Sequence, residues 1–152
     1  MKLLVFHMGA DRYGLPLRQV RRVLPLMELK GVPLAPDSVA GLMNLYGEPV
    51  PVVDLSRIGG GAPARRQVDT RIVVVDYLSP DGQLHALGLM AEGVQGVQEV
   101  AQQALAPSGV QGAPFLGAVA ADAAGLVQLV EVNDLLPHEL RLQLFPPEVA
   151  AP

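Results

Sequence analysis

The fold is decided by the stretch Tyr13-Gly14-Leu15, which is followed by Val20 and Val23. A second copy of this pattern lies 74 residues farther on, counted from Gly14 to Gly88, and reads Leu87-Gly88-Leu89, Val94 and Val97. Apolar repeats this short also arise by chance, so collinear order must support them. Repeated segments in one register indicate two copies of one structural unit.

Two later segments keep the same order at slightly larger spacing. Gly41 parallels Gly117, and Val53-Asp54-Leu55 parallels Val130-Glu131-Val132. The collinear order weighs against chance and predicts two related β-barrel halves of about 70 residues each.

Short aliphatic and β-branched runs, separated by Gly, Pro and Asp, predict strands. These runs are Lys2–Met8, Tyr13–Leu17, Val50–Leu55, Arg71–Tyr77, His85–Met90 and Leu126–Val132. The 16 Gly and 14 Pro leave few windows long enough for a helix, so an all-β class is expected. Short helices are predicted at Pro36–Gly41 and from Asn133 to Phe145.

The composition narrows the class of protein. The 152 residues are 50% hydrophobic, carry a net charge of -4 and include no Cys. A negative charge disfavours nucleic acid as the main partner, because phosphate binding needs a concentrated positive surface. No apolar run approaches the roughly 18 residues of a spanning helix, so a cytoplasmic protein is expected. We expect one domain over residues 1–146 and a frayed tail over 147–152.

Residues that could carry chemistry are scattered. The three histidines are far apart in the sequence, and no Ser lies in a Gly-x-Ser-x-Gly context, so neither a metal site nor a hydrolase site is predicted. Gly59-Gly60-Gly61 lacks the Lys-Ser/Thr of a phosphate loop and is interpreted as a flexible loop. Asp54 and Asp76 each end an apolar strand and are expected to bond the backbone of a turn. We therefore predict no catalytic residues and no cofactor.

An ordered series of motifs resembles the CheW-like domain, the coupling-protein family of bacterial chemosensory arrays. The series spans nearly the whole chain and includes Pro36-x-x-Val39-x-Gly41-Leu42-x-Asn44-Leu45-x-Gly47, Val50-Pro51-Val52-Val53-Asp54-Leu55, Thr70-Arg71-Ile72-Val73-Val74-Val75-Asp76, Gly88-Leu89-Met90-x-x-Gly93-Val94 and Asp134-Leu135-Leu136. The resemblance implies two intertwined five-stranded SH3-like β-barrels with short helices and a C-terminal helix.

The same resemblance implies a function. Members of the family are adaptors rather than enzymes, and they connect the cytoplasmic tip of a methyl-accepting chemoreceptor to the regulatory domain of a CheA-type histidine kinase. A cytoplasmic protein recruited to membrane-bound receptor arrays is then expected. Within the family, Arg22-Val23-Leu24-Pro25-Leu26 and the ending Leu136-Pro137-His138-Glu139-Leu140 are similar to Wsp-type surface-sensing adaptors, whose output is cyclic di-GMP.

Two alternatives stay open at this point. A small-ligand-binding or enzymatic β-barrel would show convergent polar residues in a deep pocket. A CheW-like domain belonging to a larger kinase or receiver-linked adaptor would carry the same motifs.

The resemblance also places a binding groove and shows where the chain departs from the family. The predicted partner-binding residues are Val20, Arg22, Gly41, Asn44, Tyr46, Arg71 and Ile72. The family usually has an acidic residue in place of Arg22 and Arg in place of Tyr46. If the two positions face each other, a guanidinium over a phenol ring replaces an ion pair; otherwise they are unrelated surface substitutions.

Overall fold

The computed structural model describes residues 1–110, 112–122 and 124–147. Most of the regular structure in these residues is β, with short helices between and after the strands. The strands are β1 (Lys2–Met8), β2 (Asp11–Pro16), β3 (Val20–Pro25), β4 (Val39–Leu45), β5 (Glu48–Asp54), β6 (Arg71–Leu78), β7 (Leu84–Glu99), β8 (Leu116–Asp122) and β9 (Gly125–Val130). The α-helices are α1 (Leu55–Ile58) and α2 (His138–Leu144), and 3-10 turns occupy Leu17–Gln19, Gln102–Ala104 and Val132–Asp134.

The strands form two five-stranded barrels that share β7. In the first barrel the order is β4-β5-β7-β6-β3, and in the second it is β7-β1-β2-β9-β8. Residues 84–91 of β7 pair with β6, whereas its later residues pair with β1. The predicted all-β class with two intertwined five-stranded barrels is confirmed.

The barrels are interlocked because each takes strands from both halves of the repeat. The β1–β2 hairpin comes from the first half, yet β2 pairs in parallel with β9 near the end of the chain. In the same way β5 pairs in parallel with β7 of the second half. Neither half therefore completes a barrel by itself.

Side chains on β6 explain why its sequence is apolar on both faces. Ile72 and Val74 point into the cluster inside the first barrel, whereas Val73, Val75 and Tyr77 belong to the central cluster between the barrels. A third cluster, which includes Leu3 and Leu129, fills the second barrel. A strand buried on both faces reads as a continuous hydrophobic run rather than an alternating one.

The helix predicted at Pro36–Gly41 is wrong. Val39–Leu45 is strand β4, and Gly41 has a φ of 149° that a helix does not contain. A Cβ at Gly41 would lie 2.6 Å from the Lys30 carbonyl oxygen, because residues 29–30 cross β4 closely at this point. Pairing with β5 and Lys30 thus outweighs the capping potential of Asp37 and Ser38.

The polar strand ends behave differently from each other. Asp54 caps α1 by accepting hydrogen bonds from the backbone N–H groups of Ser56 at 3.0 Å and Ala64 at 2.9 Å, so its predicted turn role is confirmed. Asp76 instead forms an ion pair with Arg21 of β3, and its predicted backbone role is wrong. The ion pair joins β3 to β6 within the first barrel.

The C-terminal helix lies within the predicted segment, beginning at His138 after Pro137. The predicted frayed tail lies outside the described residues, apart from Pro147. None of the described helices is long and apolar enough to cross a bilayer.

Close packing at the parallel β5–β7 pair predicts a cost for Gly88→Ala. A Cβ at Gly88 would lie 2.8 Å from Val52 Cγ2, so we expect a loss of about 1–3 kcal/mol in the free energy of unfolding. Urea denaturation measures this loss. Gly31→Ala is the matched control, because a Cβ there meets nothing within 4 Å, and it should change stability by less than about 0.5 kcal/mol.

The double variant Gly88→Ala/Val52→Ala separates steric overlap from other effects. Removing the Val52 methyls relieves the contact, so the combined loss should be smaller than the sum of the two single losses. Wild-type stability of Gly88→Ala, or strict additivity in the double variant, would contradict this packing.

Candidate functional site

The predicted site residues all lie in the first barrel, but they occupy two different depths. Arg22 on β3 and Asn44 and Tyr46 of the β4–β5 hairpin are exposed. Ile72 is 0% exposed and belongs to the core of the first barrel, and Gly41 is also buried. These two residues support the surface from below and present no side chain to a partner.

The β4–β5 turn positions Tyr46 in an unusual backbone conformation. Tyr46 and Gly47 have φ values of 50° and 88°, and the flanking residues Leu45 and Glu48 pair directly. A two-residue hairpin loop with both φ values positive is a type I′ turn, in which a residue with a side chain is strained. Asn44 Oδ1 accepts a hydrogen bond from the Gly47 N–H at 2.7 Å and holds the turn. The Tyr46 ring is thereby held 82% exposed.

Arg22 and Tyr46 are in contact. The Arg22 Cζ atom lies 4.9 Å from the centroid of the Tyr46 ring, and Arg22 Nη1 donates a hydrogen bond to the Tyr46 hydroxyl at 3.2 Å. The interaction joins edge strand β3 to the β4–β5 hairpin and contributes about 0.5–1 kcal/mol at an exposed position. Of the two alternatives that the sequence leaves open for these positions, the structure shows the guanidinium–phenol contact.

Val23 follows Arg22 on β3 and exposes apolar surface on the other face of the strand, since it pairs with Val73 whereas Arg22 pairs with Val74. It lies on edge strand β3 and is 43% exposed, next to the half-buried Leu24. We define Arg22, Val23, Asn44 and Tyr46 as the rim. The sequence analysis named Val23 as a repeat position and within the Wsp-like segment but not as a binding residue, because its exposure depends on β3 being an edge strand.

Val20 and Arg71 lie deeper than the rim. Val20 is half-buried, pairs with Val75 and packs against the central cluster. Arg71 is half-buried at the start of β6, opposite Pro25 at the end of β3. The two residues lie toward opposite ends of β3, so they flank the rim and do not form one contiguous patch with Tyr46.

A different interaction joins the two edge strands of the second barrel. Arg12 donates to both carboxylate oxygens of Asp122, at 3.0 and 2.7 Å, and the Gln98 amide also donates to Asp122. Gln98 lies on β7 and Asp122 at the end of β8, which are the two edge strands of this barrel. The first barrel thus closes with a cation–aromatic pair and the second with a bidentate ion pair.

The hydrogen bonds at Asp122 alter its titration. The Arg12 guanidinium and then the Gln98 amide hold the pKa of the Asp122 carboxyl well below its usual range. The same contact with Asp122 raises the pKa of Arg12. Both shifts favour the charged pair at neutral pH.

Among the described residues, no group of three or more His, Cys, Asp or Glu side chains is arranged to hold a metal ion. The arrangement of the rim offers contacts rather than bond-making chemistry. An exposed aromatic ring, an Arg and an aliphatic side chain are typical of protein-binding surfaces.

Two interlocked β-barrels with an exposed rim define a two-barrel binding module, and comparisons with known proteins specify its family. The family model of the CheW-like domain matches residues 2–140. The crystal structure of the scaffolding protein TtCheW from Thermoanaerobacter tengcongensis is similar, with a TM-score of 0.81 and 25% identity, and the match covers 91% of this chain and 89% of that one.

Three proteins named chemotaxis protein CheW are also similar in sequence. The Rhizobium meliloti protein is 26% identical over 144 residues, covering 92% of this chain and 90% of the relative. The Klebsiella aerogenes protein is 23% identical over 107 residues, which cover 70% of this chain and 61% of the relative. The Treponema pallidum protein is 29% identical over 56 residues, which cover 37% of this chain and 33% of the relative. The match therefore spans less than two thirds of the last two proteins. The chain belongs to the CheW-like domain family.

The pKa of Asp122 predicts an acid-dependent loss of stability. The folded-state pKa is lower than that of an unfolded Asp, which is about 3.9. The stabilisation is therefore complete above that pH and declines as the pH falls below it. Wild type should be more stable than Asp122→Asn at pH 7, and this difference should shrink at pH 3. Urea denaturation at both pH values measures it, and a difference independent of pH would contradict the ion pair.

Proposed function

We propose that the protein is a non-catalytic adaptor that couples the cytoplasmic tip of a methyl-accepting chemoreceptor to the regulatory domain of a CheA-type histidine kinase. Membership of the CheW-like domain family over residues 2–140 supports this role. So does the similarity, over most of both chains, to a protein described as a scaffold. Such an adaptor works in the cytoplasm and is recruited to receptor arrays at the membrane.

One structural observation carries the proposal: the two barrels share strand β7, so the surfaces on the two barrels keep a fixed relative position. The rim lies on the first barrel, whereas Gln98 and Asp122 close the second. Strand β7 runs through both barrels without interruption over Leu84–Glu99. A body of this kind positions two partners relative to each other without any change in its own fold.

The rim is suited to a helical partner. Val23 supplies exposed aliphatic surface, and Tyr46 supplies a large ring that the turn and Arg22 hold in place. An amphipathic helix that docks on such a surface buries apolar side chains, and a held ring loses little conformational entropy on binding. In this proposal the rim receives the receptor tip, which is helical in the family.

The kinase regulatory domain resembles the adaptor in fold and binds at an exposed barrel edge or end. Each of these contacts is weak by itself. Tethering in an array raises the effective concentration of every partner, so affinity grows without new contacts.

The chain is further assigned to a Wsp-type system with cyclic di-GMP output. The support is the sequence resemblance around Arg22–Leu26 and Leu136–Leu140, together with the Arg22–Tyr46 pair that replaces the usual family residues. A different pair at the rim changes which partners are tolerated, since charges at an interface discriminate between competing partners.

The direct test of the adaptor role is formation of a ternary complex. Purified protein, a receptor cytoplasmic fragment and a kinase regulatory domain should co-sediment as one species, and pairwise mixtures should give two binary complexes. Mutually exclusive binding of receptor and kinase would overturn the bridging role. The same experiment with components from the Wsp-type and the flagellar chemotaxis systems tests the assignment to a system.

The rim makes a specific prediction for receptor binding. Val23→Asp should weaken binding of the receptor fragment at least tenfold, because desolvating an unpaired carboxylate against an apolar helix is costly by more than about 1.4 kcal/mol. Val97→Asp is the matched control: Val97 is the repeat equivalent of Val23, is exposed, and lies on the second barrel. It should retain receptor binding.

Circular dichroism confirms that both variants fold before binding is measured. Equal losses in the two variants would show that the rim is not the receptor surface. Val20→Asp is unsuitable for this purpose, because Val20 packs against the central cluster and a charge there disturbs the fold as well.

The Arg22–Tyr46 contact predicts a coupling between the two residues. Arg22→Ala and Tyr46→Ala should each weaken partner binding, and the double variant should lose less than the sum, because the two side chains share one contact. The charge-pair variant Arg22→Glu/Tyr46→Arg restores the usual family residues and should shift preference toward partners of flagellar chemotaxis. Zero coupling together with an unchanged ranking of partners would exclude these residues as specificity determinants.

A further inference from the structure

A cleft of about 560 Å³ lies at the junction of the two barrels, away from the rim. Five parts of the chain line it: the turn region of the β1–β2 hairpin, Ser56 of α1, the loop of residues 59–65 that follows α1, Glu92 of β7, and the segment of residues 113–116 that leads into β8. Cavities of about 300–1,000 Å³ are typical of small-molecule sites. We call this cavity the junction cleft.

The walls of the junction cleft are mainly apolar and aromatic. Met8, Tyr13 and Phe115 contribute side chains from the second barrel and the segment before β8, and burial raises the pKa of the Tyr13 phenol. Small residues keep the opposite wall open. A Cβ at Gly59 would lie 3.2 Å from Met8 Sδ, so a larger residue there would press on the cleft wall.

One carboxylate lies in this apolar lining. Glu92 of β7 is only 8% exposed. Its Oε1 atom accepts a hydrogen bond from the Arg65 backbone N–H. Oε2 accepts no hydrogen bond from the residues that the structure describes, and its nearest cation is the Arg65 guanidinium at 3.7 Å.

The Arg65 guanidinium compensates this charge only in part. Its side chain is 69% exposed, and the 3.7 Å separation exceeds hydrogen-bond distance. An exposed ion pair of this kind is weak because water screens it. Glu92, although mostly buried, therefore keeps Oε2 available to a donor that enters the cleft.

We propose that the junction cleft binds a small primary ammonium compound with an apolar or aromatic body. The ammonium group donates to Glu92 Oε2, and the body packs against Met8 and the rings of Tyr13 and Phe115. Aromatic faces attract cations, and a hydrogen bond to a charged group is stronger than one between neutral groups. An anionic ligand is disfavoured, because it would meet the Glu92 carboxylate.

The cleft and the rim are separate sites. None of the four rim residues lines the cleft, which is bounded by parts of both barrels. A bound ligand would connect the loop of residues 59–65 to the second barrel. This inference does not depend on the adaptor role, and either can fail while the other holds.

The test is a titration of the protein with phenethylammonium, followed by ¹⁵N NMR and calorimetry. Saturable shifts are expected at the amides of Met8, Tyr13 and Phe115. The neutral analogue 2-phenylethanol has the same aromatic body without the charge and should bind at least about tenfold more weakly, because a hydrogen bond to a charged group is the stronger one. Absence of saturable shifts at the cleft, or equal affinity for the two probes, would overturn the proposal.

Two variants with opposite expected effects localise the charge interaction. Glu92→Gln keeps an oxygen to accept the Arg65 N–H and removes the charge, so ammonium affinity should fall about tenfold while alcohol affinity stays unchanged. Arg65→Ala removes the competing cation and should increase ammonium affinity. Thermal unfolding verifies that both variants fold. Unchanged ammonium affinity in Glu92→Gln would overturn the assignment of this carboxylate.

Discussion

The structure depends on the double burial of one strand pair, β6 with the first half of β7. Both faces of β6 are covered, since Ile72 and Val74 fill the first barrel while Val73 and Val75 fill the space between the barrels. At roughly 25 cal/mol per Å² of apolar surface removed from water, such a strand contributes more than one with a solvated face. Because β7 then continues into the second barrel, loss of its register would disrupt both barrels together.

The shared strand β7 holds both barrels in one body. A small all-β chain with only 4% aromatic residues can therefore present two separate surfaces. At the outer edges, side-chain contacts join the elements, with Arg22–Tyr46 in one barrel and Arg12–Asp122–Gln98 in the other. Single backbone bridges from Lys30 to β4 and from Ala106 to β8 cover these edge strands as well. Exposed strand edges promote aggregation unless they are covered or charged. The closing residues therefore protect the edges, and at the rim the same residues provide the contacts proposed for a partner. Stability and the proposed recognition are combined at one position, so the Arg22–Tyr46 pair bears on both.

The parts of the fold that were predictable from sequence are those that local chemistry determines. The β-branched runs of β5 and β6 and the repeated Gly14 and Gly88 indicated strands and two related units. The start of strand β4 was predicted as the end of the short helix Pro36–Gly41 because Asp37 and Ser38 resemble caps. Pairing with β5 and the close approach of Lys30 decide the conformation instead. Strands β3 and β8 were missed, since Arg21-Arg22 interrupts the first and small residues dominate the second. The predicted binding residues lie in the first barrel, but their depth was not predictable: burial of Ile72 follows only from the tertiary fold. Glu92 of the junction cleft carries no motif.

Native-state hydrogen exchange tests most directly whether the interlocked barrels form one cooperative unit. The slowest amides of β5 in the first barrel and of β9 in the second should open with the same free energy and the same dependence on denaturant, because β7 links both barrels. A separate, lower-energy opening of the second barrel, with β5 still protected, would contradict the interlocked body from which the fixed arrangement of the two surfaces is derived.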